Sequence, residues 1–322
     1  MADQNINEPE NSEPKKYPFW PDSLQESNGE NLKRSSFLEK VFAAFQKALV
    51  AIAKLAGQSF ISWMLFLMLA ILLVNPKMWG DDQTYLTVEE IVKLTTLTIS
   101  VFLAVRVFED SDVQSIGLNR NAKAIRDYLV GFLIPFSFLG LRFILFVSTS
   151  VIRVENYTWE TNSFSYVLEN LAITLCIFIF VGWSEELLSR GYHLRILSKG
   201  FNKFLGIIFS AGIFTYLHHD NEGITVSALF FIFLFGVMMC FAFFRTGQLW
   251  LAMGIHTGWD FFAAVIFGST PIYGLKIFHI MDISYSISSI GYFIFDLIGL
   301  IFMTILVYLY TRSRKPEPLN WQ

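Results

Sequence analysis

Long apolar blocks constrain what this chain can fold into more than any other feature. About eight stretches carry few charges and approach the ~20 mostly apolar residues that a helix needs to cross a bilayer. They lie near 59–74, 91–108, 128–152, 166–185, 201–218, 224–244, 248–267 and 290–310. Backbone polar groups within a bilayer must be satisfied internally, so the blocks are predicted to be helices. The sequence therefore predicts an all-α fold, a polytopic membrane helical bundle with about eight transmembrane helices.

The composition agrees with a membrane protein and argues against a nucleic-acid partner. Of the 322 residues, 54% are hydrophobic and only 16% are charged, whereas a soluble domain carries about 25% charged residues. The net charge of -3 gives no basic excess with which to bind phosphate backbones. Membrane lipid is therefore the expected surrounding of most of the chain.

Shifts in polarity divide the chain into four parts. Residues 1–36 are polar and without periodicity, which predicts a disordered tail. Residues 37–57 repeat lysine every seven positions and carry apolar side chains on another face. This pattern favours an amphipathic interfacial helix, with a cytosolic extension of the first span as the alternative. Residues 58–312 hold the predicted transmembrane bundle, and 313–322 form a cytoplasmic tail.

Basic residues are concentrated in alternate loops, which orients the bundle. Because basic loops stay in the cytoplasm, both termini are predicted to face the cytoplasm, and this requires an even number of spans. The poorer loops hold only Lys77, Lys93, Arg153 and Lys276. The richer segments hold Lys33, Arg34, Lys40, Arg120, Lys123, Arg126, Arg190, Arg195, Lys199, Lys203, Arg245, Arg312, Arg314 and Lys315.

Several ionisable side chains lie in or beside the apolar blocks, where they are costly and therefore candidates for function. Arg106 is near a cytoplasmic end and can extend to the interface. Arg142 and Asp296 lie deeper, and each is interpreted as part of a structural ion pair or hydrogen bond. The others belong to three sets: Glu185, Glu186 and Arg190; His218, which His219 follows; and His256 with Asp260.

The first set predicts two different roles for adjacent carboxylates. Glu186 and Arg190 are four residues apart and share a helix face, so they can pair. Glu185 points about 100° away from that pair. One carboxylate can thus be held while its neighbour remains free to act as a general base. The alternative is a charged helix end at the cytoplasmic interface.

The second set is Phe214-x-x-x-His218, whose two side chains share a helix face. A histidine near a helix end is often a satisfied structural residue. Polar residues follow it directly, so His218 could also be an exposed loop residue. By itself this set does not decide between these interpretations.

The third set lies within an apolar block. His256 and Asp260 share a face, and two polar groups aimed the same way inside a span indicate a site, with a structural pair as the alternative. Gly254 and Gly258 have the GxxxG spacing that lets helices approach closely.

Counting residues predicts that the three sets lie at one depth. Glu185 precedes Gly200 by 15 residues and His218 follows it by 18, or ~22 and ~27 Å of continuous helix. This match requires that the fourth helix continue past Glu185 without a break at Gly191. His256 comes to a similar height from its own cytoplasmic end, so the sets are expected to meet in the cytoplasmic half of the membrane.

In this order the motifs EExxxR, FxxxH and Hxxx(N/D) resemble the CPBP family of CAAX proteases and bacteriocin-processing enzymes, which includes type II CAAX prenyl endopeptidases. The resemblance covers roughly 128–310. It implies an intramembrane endopeptidase, in a bacterial inner membrane, that hydrolyses a peptide bond of a membrane-associated protein or peptide, which could be prenylated or CAAX-like. A catalytically silent CPBP-type scaffold or regulator is the alternative.

The resemblance also implies roles for the motif residues. Glu185 would activate water with His218 as its partner, and His256 with Asp260 would stabilise the oxyanion. Glu186 and Arg190 would fix the local structure.

Asp260 departs from the family, whose CAAX-processing members usually carry asparagine there. An ionised aspartate cannot donate a hydrogen bond to an oxyanion, so Asp260 could orient His256, remain protonated or ligate a metal. The leading mechanism requires no cofactor. Zinc or another divalent metal is the alternative, with Glu185, His218 and His256 as ligands, although no HExxH motif is present.

Overall fold

A computed structural model describes residues 22–73, 82–221, 223–267, 276–282 and 289–319. Its compact units are 1–46 and 47–322, and all the motif residues belong to the second. The longer helices are α1 (Asp22–Leu73), α2 (Asp82–Glu109), α3 (Ala122–Ser148), α5 (Phe164–Glu186), α8 (Val226–Thr246) and α10 (Ser289–Thr311). The shorter elements are β1 (Ile152–Tyr157), α4 (Thr158–Thr161), α6 (Leu194–Gly200), α7 (Lys203–Tyr216), α9 (Trp250–Phe261) and β2 (Phe278–Asp282).

Side-chain caps and one left-handed glycine fix where several of these helices begin and end. The side chain of Asn121 accepts a hydrogen bond from the amide of Ala124 at the start of α3. Asn202 and Thr225 cap α7 and α8 in the same way. Gly247 ends α8 with φ of 69°, a conformation that favours glycine.

The helical content confirms the predicted all-α polytopic bundle. Within the described residues, 6 helices are long and apolar enough to cross a membrane: Phe37–Leu73, Thr87–Glu109, Ala122–Ser148, Phe164–Gly200, Val226–Thr246 and Ile290–Thr311. The fifth predicted block forms α7, of 14 residues. The seventh forms α9, of 12 residues, followed by a π-helical turn over Phe262–Ile266. The count of eight spans stays a prediction.

Helix α1 is continuous across two predicted boundaries. Its backbone is helical over residues 22–36, which the sequence assigns to the tail, and over Gly57, where the interfacial helix is predicted to end. The candidate span Phe37–Leu73 joins the predicted interfacial helix to the first span. Residues 1–21 lie outside the described residues, and the division of the chain into four parts stays a prediction.

Three connections meet at one end of the second unit. The amide of Leu249, at the α8–α9 turn, donates to the carbonyl of Gly117 before α3 at 2.9 Å. The amide of Glu317, beyond α10, donates to the carbonyl of Thr246 at 3.0 Å. These connections belong to the basic segments of the sequence, which are predicted to face the cytoplasm.

Strands β1 and β2, which the sequence did not predict, join the α3–α5 and α9–α10 connections. They pair antiparallel from Ile152 opposite Asp282 to Tyr157 opposite Phe278, with a bulge between Val154 and Asn156. The apolar block predicted to end at residue 152 instead ends as helix at Ser148.

Helix α9 packs closely against α3 and α5 because glycines remove side chains from the contact. A Cβ at Gly254 or Gly258 would overlap the backbone of Tyr128 or Phe132 in α3. A Cβ at Gly182 in α5 would overlap Thr257 of α9. The close approach expected from the GxxxG spacing is present, and it fixes the axial position of His256.

Candidate active site

The fourth predicted helix continues past the two glutamates. Helix α5 ends at Glu186, a π-helical turn spans Leu187–His193, and α6 follows directly to Gly200. The chain therefore does not break at Gly191. The π-helical turn itself was not predicted, and such turns are frequent at functional sites.

Glu186 lies at the centre of a buried hydrogen-bond cluster. Its Oε1 accepts from Nη1 of Arg190 at 2.7 Å, and both side chains are fully buried. Nη2 of Arg190 also donates to the carbonyl of Gly236 in α8 at 3.1 Å. Nδ1 of His256 donates to the same Oε1 of Glu186 at 2.9 Å. The pair of Glu186 and Arg190 thus links the π-helical turn to α9 through Glu186 and to α8 through Arg190.

Glu185 has a different environment from its neighbour. Its Oε2 lies 3.6 Å from Nε2 of His218 and 3.8 Å from Nε2 of His256. That oxygen is buried and accepts no hydrogen bond from the described residues. The side chain as a whole is 27% exposed. Its carboxylate therefore faces two imidazoles without being held by either.

His218 is held in one orientation by the residue four positions before it. Its Nδ1 donates to the carbonyl of Phe214 at 2.7 Å, and the two rings lie 4.6 Å apart. With the proton on Nδ1, Nε2 of the neutral ring carries the lone pair, and this atom faces Glu185. At 19% exposure the side chain is not a freely exposed loop residue. The neighbouring His219 instead contacts Asp220 and Tyr216.

Asp260 completes a group of three carboxylates around His256. Its Oδ2 lies 3.4 Å from Nε2 of His256. The imidazole of His256 thus has Glu186 at Nδ1, and Asp260 and Glu185 on the side of Nε2. This geometry is suited to orienting the ring, one of the roles left open for Asp260 by the sequence.

Aromatic side chains surround the buried part of the cluster. The guanidinium of Arg190 lies 4.5 Å from the ring centroid of Phe214. Phe214 and Phe235 approach His256 edge-on, and Phe235 also packs on Trp259. Phe235 and the carbonyl of Gly236 were not predicted, because α8 is apolar along its length and its sequence gives no signal that distinguishes one position.

The other ionisable side chains within the apolar blocks have separate partners. Arg142 of α3 and Asp296 of α10 form an ion pair of 2.7 Å, as their structural interpretation expects. Arg106 is 70% exposed and lies 3.9 Å from Asp112.

The donor set does not fit the alternative metal centre. In the described part of the chain, no group of three or more His, Cys, Asp or Glu side chains is arranged to hold a metal ion. A metalloprotease assignment is therefore not supported.

Comparison with known families agrees with this arrangement. Residues 167–262 match an Rce1-like type II CAAX prenyl endopeptidase domain. The match includes all three motifs and confirms the resemblance to the CPBP and CAAX protease family. It supports intramembrane endopeptidase activity in general, and a multi-pass protein in a lipid environment. No match was found among curated proteins or among solved structures.

Proposed function

We propose that this protein is an intramembrane endopeptidase in which Glu185 activates the hydrolytic water. The observation that supports this role concerns Oε2 of Glu185, which accepts no hydrogen bond from the described residues and lies within 3.8 Å of Nε2 of both His218 and His256. Glu186, one residue away, is instead held by Arg190 and His256. Oε2 of Glu186 also accepts no hydrogen bond from the described residues, but that carboxylate is fully buried and held through Oε1, whereas Glu185 is 27% exposed. Glu185 is therefore the carboxylate that we assign to the chemistry.

The proposed first step is attack by water on the peptide carbonyl. Because Oε2 of Glu185 and Nε2 of His218 are 3.6 Å apart, one water can lie within ~2.6–3.2 Å of both atoms. Glu185 removes a proton from that water as its oxygen forms a bond to the carbonyl carbon. His218, with its lone pair on Nε2, accepts the second hydrogen bond of the water and orients it.

The proposed second step is collapse of the tetrahedral intermediate. His256 donates Nδ1–H to Glu186 and, when doubly protonated, presents Nε2–H to the oxyanion. Asp260 orients this ring and balances its charge. The C–N bond then breaks, and the proton held by Glu185 passes to the leaving amine. Arg190 acts through Glu186 as a positioning residue.

The proposed substrate is a membrane-associated protein or peptide, which could be prenylated or CAAX-like, and the proposed location is a bacterial inner membrane. The substrate proposal rests on the family match and on the helices of the bundle that are long and apolar enough to cross a membrane. The location is carried over from the resemblance of the three motifs to the CPBP family. CAAX-processing members of the family usually carry asparagine at the position of Asp260. The proposed substrate class is therefore not limited to prenylated CAAX proteins.

The test compares Glu185→Gln with Glu169→Gln in cells. Glutamine keeps the shape of Glu185 but cannot take the proton, so we expect loss of the new termini that the wild type produces among membrane proteins. Glu169 is an exposed residue of the same helix, and its variant should give the wild-type pattern. Quantitative mass spectrometry of protein termini in isolated membranes measures both. Normal cleavage by Glu185→Gln at wild-type protein levels would refute the assignment.

The alternative, a silent scaffold or regulator, predicts a different outcome. A Glu185→Gln, His218→Gln double variant leaves the helical bundle in place and removes the proposed chemistry. If the phenotype of a deletion strain is restored by this double variant as well as by the wild type, the scaffold interpretation is correct.

A further inference from the structure

A second polar feature lies away from the three motifs, at the end of the unit where α3 begins and α8 and α10 end. It is a cavity of about 220 Å³. Four cationic and two acidic side chains line it: Lys123, Arg126, Arg314, Lys315, Asp127 and Glu317. Pockets for drug-sized ligands measure ~300–1,000 Å³, so this one is suited to a small charged group.

The wall of the cavity is held by a buried carboxylate. Oδ1 of Asp127, on α3, accepts from Nη1 of Arg314 and from the hydroxyl of Tyr310, both at 2.6 Å. The guanidinium of Arg314 also lies 4.2 Å from the ring centroid of Tyr310. The amide of Glu317 donates to the carbonyl of Thr246, and this hydrogen bond holds the segment after α10 against the α8–α9 turn. The segment after α10 therefore forms an ordered part of the cavity wall.

The side chains that line the cavity carry an excess of positive charge. Asp127 is paired with Arg314, and Glu317 is paired with Lys123 at 3.3 Å. Among the described residues, Arg126 and Lys315 have no ion-pair partner, and both are exposed. Burial by itself lowers the pKa of Arg314, but the hydrogen bond and attraction of Asp127 raise it above its ordinary value. The site thus retains two uncompensated cations.

The position of the cavity matches an anionic membrane surface. It lies at the ends of helices that are long and apolar enough to cross a membrane, on the side that the loop charges predict to be cytoplasmic. Basic pockets between helix ends on that side are suited to anionic lipid headgroups. The first turn of α3 adds the positive end of the helix dipole. We propose that this cavity binds a phosphate group, carried by an anionic phospholipid headgroup or free in solution.

The experiment measures lipid binding by the purified full chain using native mass spectrometry in detergent. The probes are phosphatidylglycerol, zwitterionic phosphatidylcholine and inorganic phosphate. The Arg126→Gln, Lys315→Gln double variant removes the two uncompensated cations. The matched control, Arg120→Gln with Arg312→Gln, removes two exposed cations that do not line the cavity. Unchanged melting temperatures verify that both double variants are folded.

We expect one phosphatidylglycerol to bind in preference to phosphatidylcholine. The cavity variant should weaken its binding by about 10- to 30-fold, since each basic residue near an anionic surface contributes roughly a factor of five. The control should change it by less than about threefold. If inorganic phosphate at millimolar concentration displaces the lipid, the site recognises phosphate alone. If it does not, the lipid headgroup is the ligand.

Two results would overturn the proposal. One is equal weakening by the cavity variant and the control, which would mean general attraction to a basic surface. The other is no preference for phosphatidylglycerol and no binding of phosphate. The readout does not depend on cleavage, so it is independent of the proposed endopeptidase activity.

Discussion

At the scale of single residues, adjacent glutamates have opposite environments. Glu186 is fully buried and binds Arg190 and His256, whereas Glu185 is 27% exposed and leaves Oε2 unbonded among the described residues. The separation follows from the turn of about 100° between neighbouring positions of a helix. Exchanging the roles of the two carboxylates would require a different rotation of α5.

Asp260 is the residue where substitution is most informative. We expect Asp260→Asn to stay within about tenfold of wild-type activity, because the amide keeps a polar side chain beside Nε2 of His256 and its nitrogen can donate to an oxyanion. Asp260→Leu keeps the size without hydrogen bonding and should lower activity by ~10²–10³-fold. Cleavage rates in reconstituted vesicles, with a substrate identified from the Glu185→Gln comparison, provide the measurement. Equal losses in both variants would show that the negative charge itself is required.

At the scale of elements, α9 positions the site by packing between α3 and α5. The contact depends on backbone approach, because a Cβ at Gly258 would overlap the carbonyl of Phe132. His256 lies two residues before this glycine, so a displacement of α9 moves the imidazole relative to Glu185 and Glu186. A shift of about 1 Å can cost ~10²-fold in rate.

Gly258→Ala is therefore expected to lower both stability and activity. Overpacking of this kind typically costs ~1–3 kcal/mol. The control is Gly212→Ala in α7, where the added Cβ would meet no described atom within 4 Å and helix propensity favours alanine. Thermal unfolding in detergent and the vesicle cleavage assay measure the two effects. If Gly258→Ala behaved like Gly212→Ala, the close contact would not position the site.

At the scale of the whole molecule, helix length and helix contacts give complementary information about the spans. By length, 6 described helices qualify as spans. Yet the α8–α9 turn contacts Gly117 and the segment after α10 at one end, and β1 pairs with β2 between two other connections. The count of eight spans stays a prediction, because α7 and α9 have only 14 and 12 residues.

Cysteine labelling tests the orientation. In a Cys176→Ser background, Glu155→Cys on β1 and Ser313→Cys after α10 introduce exposed thiols at the two predicted sides. Cys240 is buried and can remain. We expect a membrane-impermeant maleimide to label Glu155→Cys in intact spheroplasts and Ser313→Cys only after permeabilisation. The reverse pattern, or labelling of both from one side, would contradict the predicted topology.

The sequence by itself determined the features that depend on one helix at a time. Apolar blocks specify membrane helices because lipid leaves the backbone no other partner. The spacings of Glu186 with Arg190, Phe214 with His218, and His256 with Asp260 specify shared faces because helical geometry is local. Each of these pairs is in contact in the structure. Counting residues also predicted that the three motifs lie at one level, and they do meet, although a π-helical turn interrupts the regular α-helix after Glu186.

Only the tertiary structure decided which faces meet. The contact of Glu186 with His256, the carbonyl of Gly236 as a partner of Arg190, and the pairing of β1 with β2 join residues far apart in the chain. Hydrophobic periodicity gives the direction of a side chain about its own helix axis, but it does not identify the neighbouring helix. For α8, which is apolar along its whole length, it does not give even that direction. The arrangement of the site therefore depends on packing between helices.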